Sequence, residues 1–341
     1  MNRISRQTLT QRLCCLDGSE LLYINNAKAA CSTIKKAMWL SADAASFTPK
    51  TSPHDKVTGP FTSTLPALQR ARKGLQSSKI FTVVRNPYQR VVSAYLDKVA
   101  PPAEGRIRDH KVWTIIAQRY GFELTREVSL VEMLRCLAQD DPWAIDQHFA
   151  PQWATTLVDY VNYDFAGHLE DMSLLWPFLA QHGVEMAEHR SHATGASGKV
   201  AAILGPEERA LVEQIYGRDF AIFGYAMDPA QIAPDRAMAL PPATRQSLAA
   251  LIRAYNAPNK KQCRIQLQRL SEHLPAHDSL YSRLDYGPLG RNELTELYAA
   301  FRDGKIEGWK TLLKLSQQLA GTEMVLQAAE VMDQARRAAG G

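Results

Sequence analysis

The sequence predicts an α/β fold, in which a parallel, P-loop-like sheet is flanked by helices and is followed by an all-α C-terminal region. Two short apolar runs are each followed by a polar or small-residue loop and then by a helical pattern, and a third strand-like run begins near residue 163. Strands that alternate with helices indicate a parallel sheet, whose ligands bind at the carboxyl ends of the strands. After about residue 243 the patterns are helical, with much Ala, Leu and Gln.

The first strand–helix unit begins at Leu21–Ile24, a short apolar run that predicts a buried strand. The following loop, Asn25–Thr33, consists largely of small residues, and Ser32 or Thr33 is predicted to cap a helix. Apolar residues then recur with the spacing of one helix face, at Ile34, Ala37 and Met38.

The second unit repeats this order. Ile80–Arg85 predicts a fully buried strand, and Pro87 suits the first turn of the next helix, which we expect to end near Pro101. Further along the chain, the patterns predict a strand at Tyr163–Gly167 and helices at residues 65–75, 130–137, 144–160, 171–182 and 206–216.

Composition divides the chain into three parts. Residues 1–228 are predicted to form the α/β domain, residues 229–242 a proline-rich linker, and residues 243–341 a helical accessory region. Those C-terminal helices could serve an oligomer interface or a partner protein. A short basic patch, residues 259–264, is too small to predict nucleic-acid binding.

The composition is that of a globular protein, with 45% apolar residues and no run of 18 apolar residues, so we expect no membrane span. The N-terminal residues have no apolar segment typical of a signal peptide. Five scattered cysteines without a C-x-x-C pair argue against a zinc site and a disulfide framework. A cytoplasmic protein is the resulting expectation.

Charge is uneven along the chain. Residues 1–109 have 17 Lys and Arg against 7 Asp and Glu, a balance of +10, whereas the remaining residues have 23 against 28, a balance of −5. The two sum to the net charge of +5. The basic first third predicts either an anionic partner, such as a nucleotide or a sulfated ligand, or an ordinary solvated surface.

The loop at Lys28–Lys36 has features of a phosphate-binding loop. A loop between a strand and a helix directs backbone N–H groups and the positive end of the helix dipole at its ligand. Small residues let an anion approach the backbone, Lys28 adds a charge, and Ser32 and Thr33 add hydroxyl donors. The chain has no Walker A loop and no G-x-G-x-x-G motif.

The segment Phe81–Tyr95 forms the second motif. Arg85 is expected at the carboxyl end of a buried strand, with Ser93 two turns into the next helix. A guanidinium and a hydroxyl together make a clamp for a phosphate monoester. Arg90 is predicted to be structural or solvated.

These two motifs, in this order, resemble those of sulfotransferases that use 3'-phosphoadenosine 5'-phosphosulfate (PAPS). The nearest resemblance is to the carbohydrate sulfotransferase group with the chondroitin and HNK-1 enzymes and bacterial relatives. Lys28–Lys36 is similar to the 5'-phosphosulfate loop P-K-x-A-C-T-N-W-K-R, and Phe81–Tyr95 to the 3'-phosphate motif F-V-R-x-P-F-x-R-L-V-S-A-Y. Similar segments follow at residues 146–152, 163–170 and 216–225, so the resemblance covers about residues 20–227.

The resemblance implies a sulfotransferase fold and roles for particular residues. Arg85 and Ser93 would hold the 3'-phosphate, and Lys28 would also neutralise charge on the leaving group without a metal ion. His54 and His148 are the candidate general bases for a hydroxyl acceptor, most typically a saccharide or glycoconjugate. The residues that would hold the 5'-phosphosulfate are Lys28, Ala29, Ala30, Cys31, Ser32 and Thr33.

The chain departs from the family pattern at three positions. Ala27 replaces a proline, Ile34 replaces a tryptophan, and Ala150 replaces the arginine of H-W-R-P-Q. Two other functions remain open at this stage. One is a catalytically inactive protein that binds a nucleotide or another anion, and the other is a P-loop kinase-like phosphotransferase.

Overall fold

The computed structural model describes residues 12–16, 18–44, 47–48, 52–54, 61, 72–101, 110–185, 200, 202–243, 248–250 and 252. All of them lie within one compact unit, Thr10–Leu274. The helices predicted after residue 252 and the predicted helix from residue 65 to residue 71 lie outside the described residues.

A four-stranded sheet forms the centre of this unit, with strand order β1-β2-β3-β4. Its strands are β1 (Leu13–Cys15), β2 (Leu21–Ile24), β3 (Lys79–Val84) and β4 (Phe165–His168). Strands β2, β3 and β4 are parallel, as predicted, whereas β1 is antiparallel to β2. The sheet is therefore mixed, and the expectation of a wholly parallel sheet was wrong at this one edge.

Helices follow the strands in the predicted alternation. Their bounds are α1 (Cys31–Asp43), α2 (Arg72–Ser77), α3 (Pro87–Lys98), α4 (His110–Tyr120), α5 (Leu130–Gln139), α6 (Gln152–Thr155), α7 (Leu175–Gln181) and α8 (Pro206–Phe223). The sequence patterns did not predict α4. In the part of the chain that the structure describes, no helix is long and apolar enough to cross a membrane.

The predicted helix at residues 144–160 was wrong, because only Gln152–Thr155 is helical there. Pro151 precedes this short helix as its N-cap, and proline disrupts a helix that continues through it. Before Pro151, the Asp146 carbonyl accepts hydrogen bonds from the N–H groups of Phe149 and Ala150, which makes a turn.

One apolar cluster joins the sheet to the helices. Tyr23 on β2 stacks on Phe81 on β3 with ring centroids 5.0 Å apart. The other buried members on the sheet, on α1 and on α7 include Leu21, Val83, Ile34, Met38, Trp39, Leu175 and Leu179. Because β2 and β3 are parallel, their carboxyl ends lie at the same edge, and the loops leading to α1 and α3 start there.

The segment predicted as a proline-rich linker packs against the α/β fold. The Asn86 side chain donates to the carbonyls of Gln231 and Ile232, at 3.2 and 3.1 Å. The N–H of Asp235 donates to the Gly224 carbonyl at 2.9 Å. The predicted domain boundaries stay a prediction. Residues 231 and 232 contact the loop that follows β3 through Asn86, and residue 235 contacts Gly224.

Candidate functional site

The loop after β2 makes a sharp turn without glycine. Lys28 and Ala30 have positive φ values of 67° and 57°, a left-handed conformation that is uncommon for residues with a Cβ atom. Ala30 is the N-cap of α1, and Ala29 is fully buried. The predicted capping by Ser32 or Thr33 was wrong, because the helix begins at Cys31 and both residues lie inside its first turn.

The start of α1 has the electrostatic properties of an anion site. The helix has 13 residues, so its dipole places partial positive charge at the turn around Cys31. Its first turn has no acidic residue, and Ala30 offers no side-chain oxygen to the N–H groups. Lys28 precedes this helix end, and Cys31, Ser32 and Thr33 lie in its first turn, where the helix dipole favours negative charge. That these residues bind an anion stays a prediction.

Arg85 contacts this loop directly. Its Nη1 donates to the Lys28 carbonyl at 3.3 Å, which joins two motifs 57 residues apart. The Gln152 side chain accepts from the Arg85 N–H at 2.9 Å and donates to the Arg85 carbonyl at 2.7 Å. Arg85 Nε is buried and has no hydrogen-bond partner among the described residues. Burial lowers the pKa of Arg85, an effect that Glu170 opposes.

The residue after Arg85 anchors α3. The Asn86 side chain accepts from the N–H groups of Tyr88 and Gln89, which caps the helix. Glu170 Oε1 accepts from the Asn86 N–H at 2.8 Å, and Glu170 Oε2 accepts from the Tyr225 hydroxyl at 2.7 Å. Glu170 thus connects the turn after β3, through Asn86, with Tyr225 after α8.

Arg90 is buried and has a structural role. It donates to the carbonyls of Ala27, Ala150 and Gln147, at 2.9, 2.8 and 3.0 Å. Ala27 directly precedes Lys28, and Gln147 directly precedes His148. One guanidinium therefore brings the Lys28 loop and the His148 segment together.

Ser93 and Asp97 lie one turn apart on α3, near the face that carries Arg90. Ser93 is buried. Asp97 Oδ2 lies 3.0 Å from Lys28 Nζ and 3.1 Å from Lys98 Nζ. Burial lowers the pKa of Lys28 while Asp97 opposes that change. Burial would raise the pKa of Asp97, but the two lysines together bring it below its usual value.

His148 is paired with a partly buried carboxylate. Its Nδ1 lies 2.7 Å from Asp146 Oδ1, which also accepts the His148 N–H at 2.9 Å. Burial would raise the pKa of Asp146, but His148 and Lys98 bring it below its usual value. With Nδ1 held by Asp146, the other ring nitrogen, Nε2, is the one that can exchange a proton with a ligand.

His54 lies against α1. Its Nε2 is 2.8 Å from Ser32 Oγ, and its Nδ1 is 3.3 Å from Lys35 Nζ. The structure therefore brings both candidate histidines to the Lys28 loop, His54 by direct contact and His148 through Arg90. The region of Lys199, which the sequence suggested as a loop over the nucleotide, lies outside the described residues.

Sequence reasoning assigned no role to Asp97, Asp146, Gln152 or Lys35. One signal was available for Asp97, since it follows Ser93 by four residues on a predicted helix and therefore shares its face. The partners of Gln152 come from segments far apart in the chain, and no local pattern reports them. Among the described residues, no group of three or more His, Cys, Asp or Glu side chains is placed to hold a metal ion.

Comparison with known proteins gives relatives of one kind. Carbohydrate sulfotransferase 14 from Homo sapiens is 27% identical over 247 residues, which cover 65% of this chain and 62% of that protein. The protein of the same name from Mus musculus is 25% identical over 244 residues, with the same coverage, and that from Danio rerio is 28% identical over 176 residues. No solved structure matches the chain significantly.

The chain spans about three fifths of the length of the human and mouse relatives. The sequence model of the sulfotransferase family matches residues 11–226, a range that contains the Lys28 loop, Arg85, Ser93 and both candidate histidines. The resemblance predicted from the motifs is thus confirmed over the whole described α/β core. The chain belongs to the sulfotransferase family.

Proposed function

We propose that this protein transfers a sulfuryl group from PAPS to a hydroxyl of a carbohydrate. The observation that carries the proposal is the hydrogen bond between Arg85 Nη1 and the Lys28 carbonyl. This contact supports assigning the two proposed anion-binding segments to one site rather than to two separate surfaces. One site can then hold a ligand with phosphate groups at both ends of its ribose.

PAPS needs two groups of hydrogen-bond donors from the protein, one for its 5'-phosphosulfate and one for its 3'-phosphate. The described residues offer candidates for both. Lys28, Ser32 and Thr33 would hold the 5'-phosphosulfate, together with the backbone of Ala29, Ala30 and Cys31 at the positive end of α1. Arg85 and Ser93 would hold the 3'-phosphate. The buried Arg85 Nε without a partner supports this assignment, since an unsatisfied buried donor is costly unless a ligand accepts from it.

Sulfuryl transfer breaks the bond between sulfur and the oxygen that bridges it to the 5'-phosphate, and forms a bond between sulfur and the acceptor oxygen. Lys28 is the residue placed to neutralise negative charge as it develops on that bridging oxygen. Burial strengthens this interaction, because a charge acts over a lower local dielectric than in water.

His148 is the general base in this proposal, and it takes the proton of the acceptor hydroxyl. Two contacts favour it over His54. Asp146 orients its ring through Nδ1 and stabilises positive charge on the ring. Arg90 donates to the carbonyls of Gln147 and Ala27, which holds the segment with His148 beside the loop with Lys28 and supports a role of His148 near that loop.

A carbohydrate acceptor is supported by the relatives, which are named as carbohydrate sulfotransferases. The test begins with calorimetric binding of adenosine 3',5'-bisphosphate, the spent donor. Radiolabelled sulfate from PAPS is then offered to a panel of desulfated polysaccharides, oligosaccharides and tyrosine peptides. We expect binding without added metal and transfer to a saccharide.

Each other outcome separates the alternatives. Bisphosphate binding with no transfer to any acceptor on a broad panel would favour an inactive nucleotide-binding protein. Transfer of phosphate from ATP with Mg²⁺ would favour a kinase-like phosphotransferase. A folded protein that does not bind the bisphosphate would refute the proposed donor site.

A further inference from the structure

His54 makes contacts on both of its ring nitrogens, and both partners lie on α1. Ser32 Oγ is 2.8 Å from Nε2, and Lys35 Nζ is 3.3 Å from Nδ1. Ser32 and Lys35 are three residues apart, so they lie on the same side of the helix. The Lys35 side chain is buried, whereas His54 is exposed.

The donors and acceptors determine where the ring proton lies. A lysine ammonium can only donate hydrogen bonds, so Nδ1 of His54 is the acceptor and has no proton. The neutral ring then has its proton on Nε2 and donates it to Ser32 Oγ. A second proton on Nδ1 would face the Lys35 ammonium, so this hydrogen bond requires an Nδ1 without a proton.

This assignment changes the interpretation of His54. A ring whose Nδ1 accepts from Lys35 and whose Nε2 donates to Ser32 is not poised to remove a proton from an acceptor hydroxyl. The His54 ring instead orients the hydroxyl group of Ser32. Because Ser32 Oγ accepts from His54, its own hydrogen is directed away from the ring, in the first turn of α1.

We propose that His54 and Lys35 are positioning residues that set the Ser32 hydroxyl as a hydrogen-bond donor to the 5'-phosphate end of the donor substrate, and that His54 is not the general base. The inference rests on the proposed function, because it requires a phosphate at the start of α1. It divides the two candidate histidines between two tasks, with His54 acting on donor binding and His148 acting on proton transfer.

A double-mutant cycle on bisphosphate affinity tests this division. His54→Ala is expected to weaken adenosine 3',5'-bisphosphate binding about tenfold, as for one lost hydrogen bond to a charged group. In a Ser32→Ala background, the same substitution should have little further effect. His54→Gln can still donate to Ser32 Oγ and should recover most of the affinity.

The histidine control is His182→Ala. His182 pairs with Glu20 before β2, at the opposite end of that strand from the loop, so its removal should not change bisphosphate affinity. Thermal unfolding of each variant checks that the exposed His54 position leaves the fold intact. A comparison of kcat with donor affinity supplies a second readout, since His148→Ala should lower kcat without weakening bisphosphate binding, whereas His54→Ala should weaken that binding.

Two results would overturn the inference. One is a His54→Ala variant with wild-type bisphosphate affinity and a kcat as low as that of His148→Ala, which would make His54 a base. The other is full additivity of the Ser32 and His54 substitutions. Failure of the wild-type protein to bind the bisphosphate is a different result, because it refutes the proposed function before any variant is compared.

Discussion

The ammonium of Lys28 lies 3.0 Å from the carboxylate of Asp97, near the end of α3, the helix that begins within the second motif. Lys98 contacts the same carboxylate at 3.1 Å. The lysine proposed to stabilise the leaving group is therefore already paired with a protein anion. Asp97 keeps a partly buried Lys28 charged and also competes with the substrate for it.

The first prediction concerns the protonation of Lys28. Burial lowers the pKa of Lys28 and Asp97 opposes that change, so Asp97→Asn should lower it further. We expect the alkaline limb of the pH–kcat profile, measured from about pH 8 to about pH 11, to move to lower pH. Lys98→Gln is the matched control, because Lys98 lowers the pKa of Lys28 and its removal should move the limb the other way. An alkaline limb that neither substitution shifts would contradict the role assigned to Lys28.

The second prediction concerns the 3'-phosphate. Arg85→Ala should weaken binding of adenosine 3',5'-bisphosphate by about 1.5–3 kcal/mol, roughly ten- to a hundred-fold, because an Arg–phosphate contact is lost. Arg135→Ala is the control, since it removes an exposed arginine that pairs with Glu207. Calorimetry on both variants measures the difference. Equal affinity in wild type and Arg85→Ala would place the phosphate elsewhere.

The third prediction separates proton transfer from donor binding. Asp146→Asn removes the negative charge that stabilises a protonated His148, so kcat should fall about tenfold or more while bisphosphate affinity stays unchanged. Asp228→Asn is a close control, because Asp228 is exposed and also accepts the N–H of the residue two positions later, at 2.9 Å. Steady-state kinetics and calorimetry give the two readouts. Parallel loss of kcat and affinity would indicate a general structural effect instead.

The fourth prediction concerns the contact between the end of α8 and residues 235–236. Gly224 ends α8 with φ of 72°, and a Cβ atom there would collide with the Arg236 carbonyl. Gly121 has φ of 71° and open space around it, so Gly121→Ala should cost only the left-handed strain of about 1–2 kcal/mol. Gly224→Ala should lower the free energy of unfolding by more than Gly121→Ala does. Urea unfolding of both variants measures the difference. Equal losses of unfolding free energy in the two variants would mean that residues 235–236 shift freely away from the end of α8.

Much of the fold followed from local patterns. The bounds of β2, β3 and β4 agree with the predicted strands to within two residues, because buried parallel strands are continuous apolar runs. The start of α3 was also predictable, since Asn86-Pro87 combines a capping side chain with a proline at the first helical position. Strand β1 was missed because its three residues have no pattern apart from their pairing with β2.

The residues of the candidate site were likewise chosen from local motifs, and their roles stay predictions. Lys28, Arg85 and Ser93 occur in motifs whose residue types and spacing indicate phosphate binding. The sequence does not predict Ala30 as the N-cap of α1. Its left-handed backbone depends on the turn that the surrounding structure imposes. The broken helix at residues 144–160 shows a similar limit, since apolar spacing continues past Pro151 although the helix does not.

The amino-acid sequence thus determined the α/β alternation, the two motifs shared with the family and the family itself, all of which depend on residues close together in the chain. The partners of the functional groups were decided by folding. Asp97 reaches Lys28 across 69 residues, and Lys35 reaches His54 across 19 residues. A sequence pattern records spacing along the chain, whereas these pairings arise where α1, α3 and the loops at the sheet edge pack together. That packing is the physical reason that His54 and His148, indistinguishable as candidate bases in the sequence, differ in the folded protein.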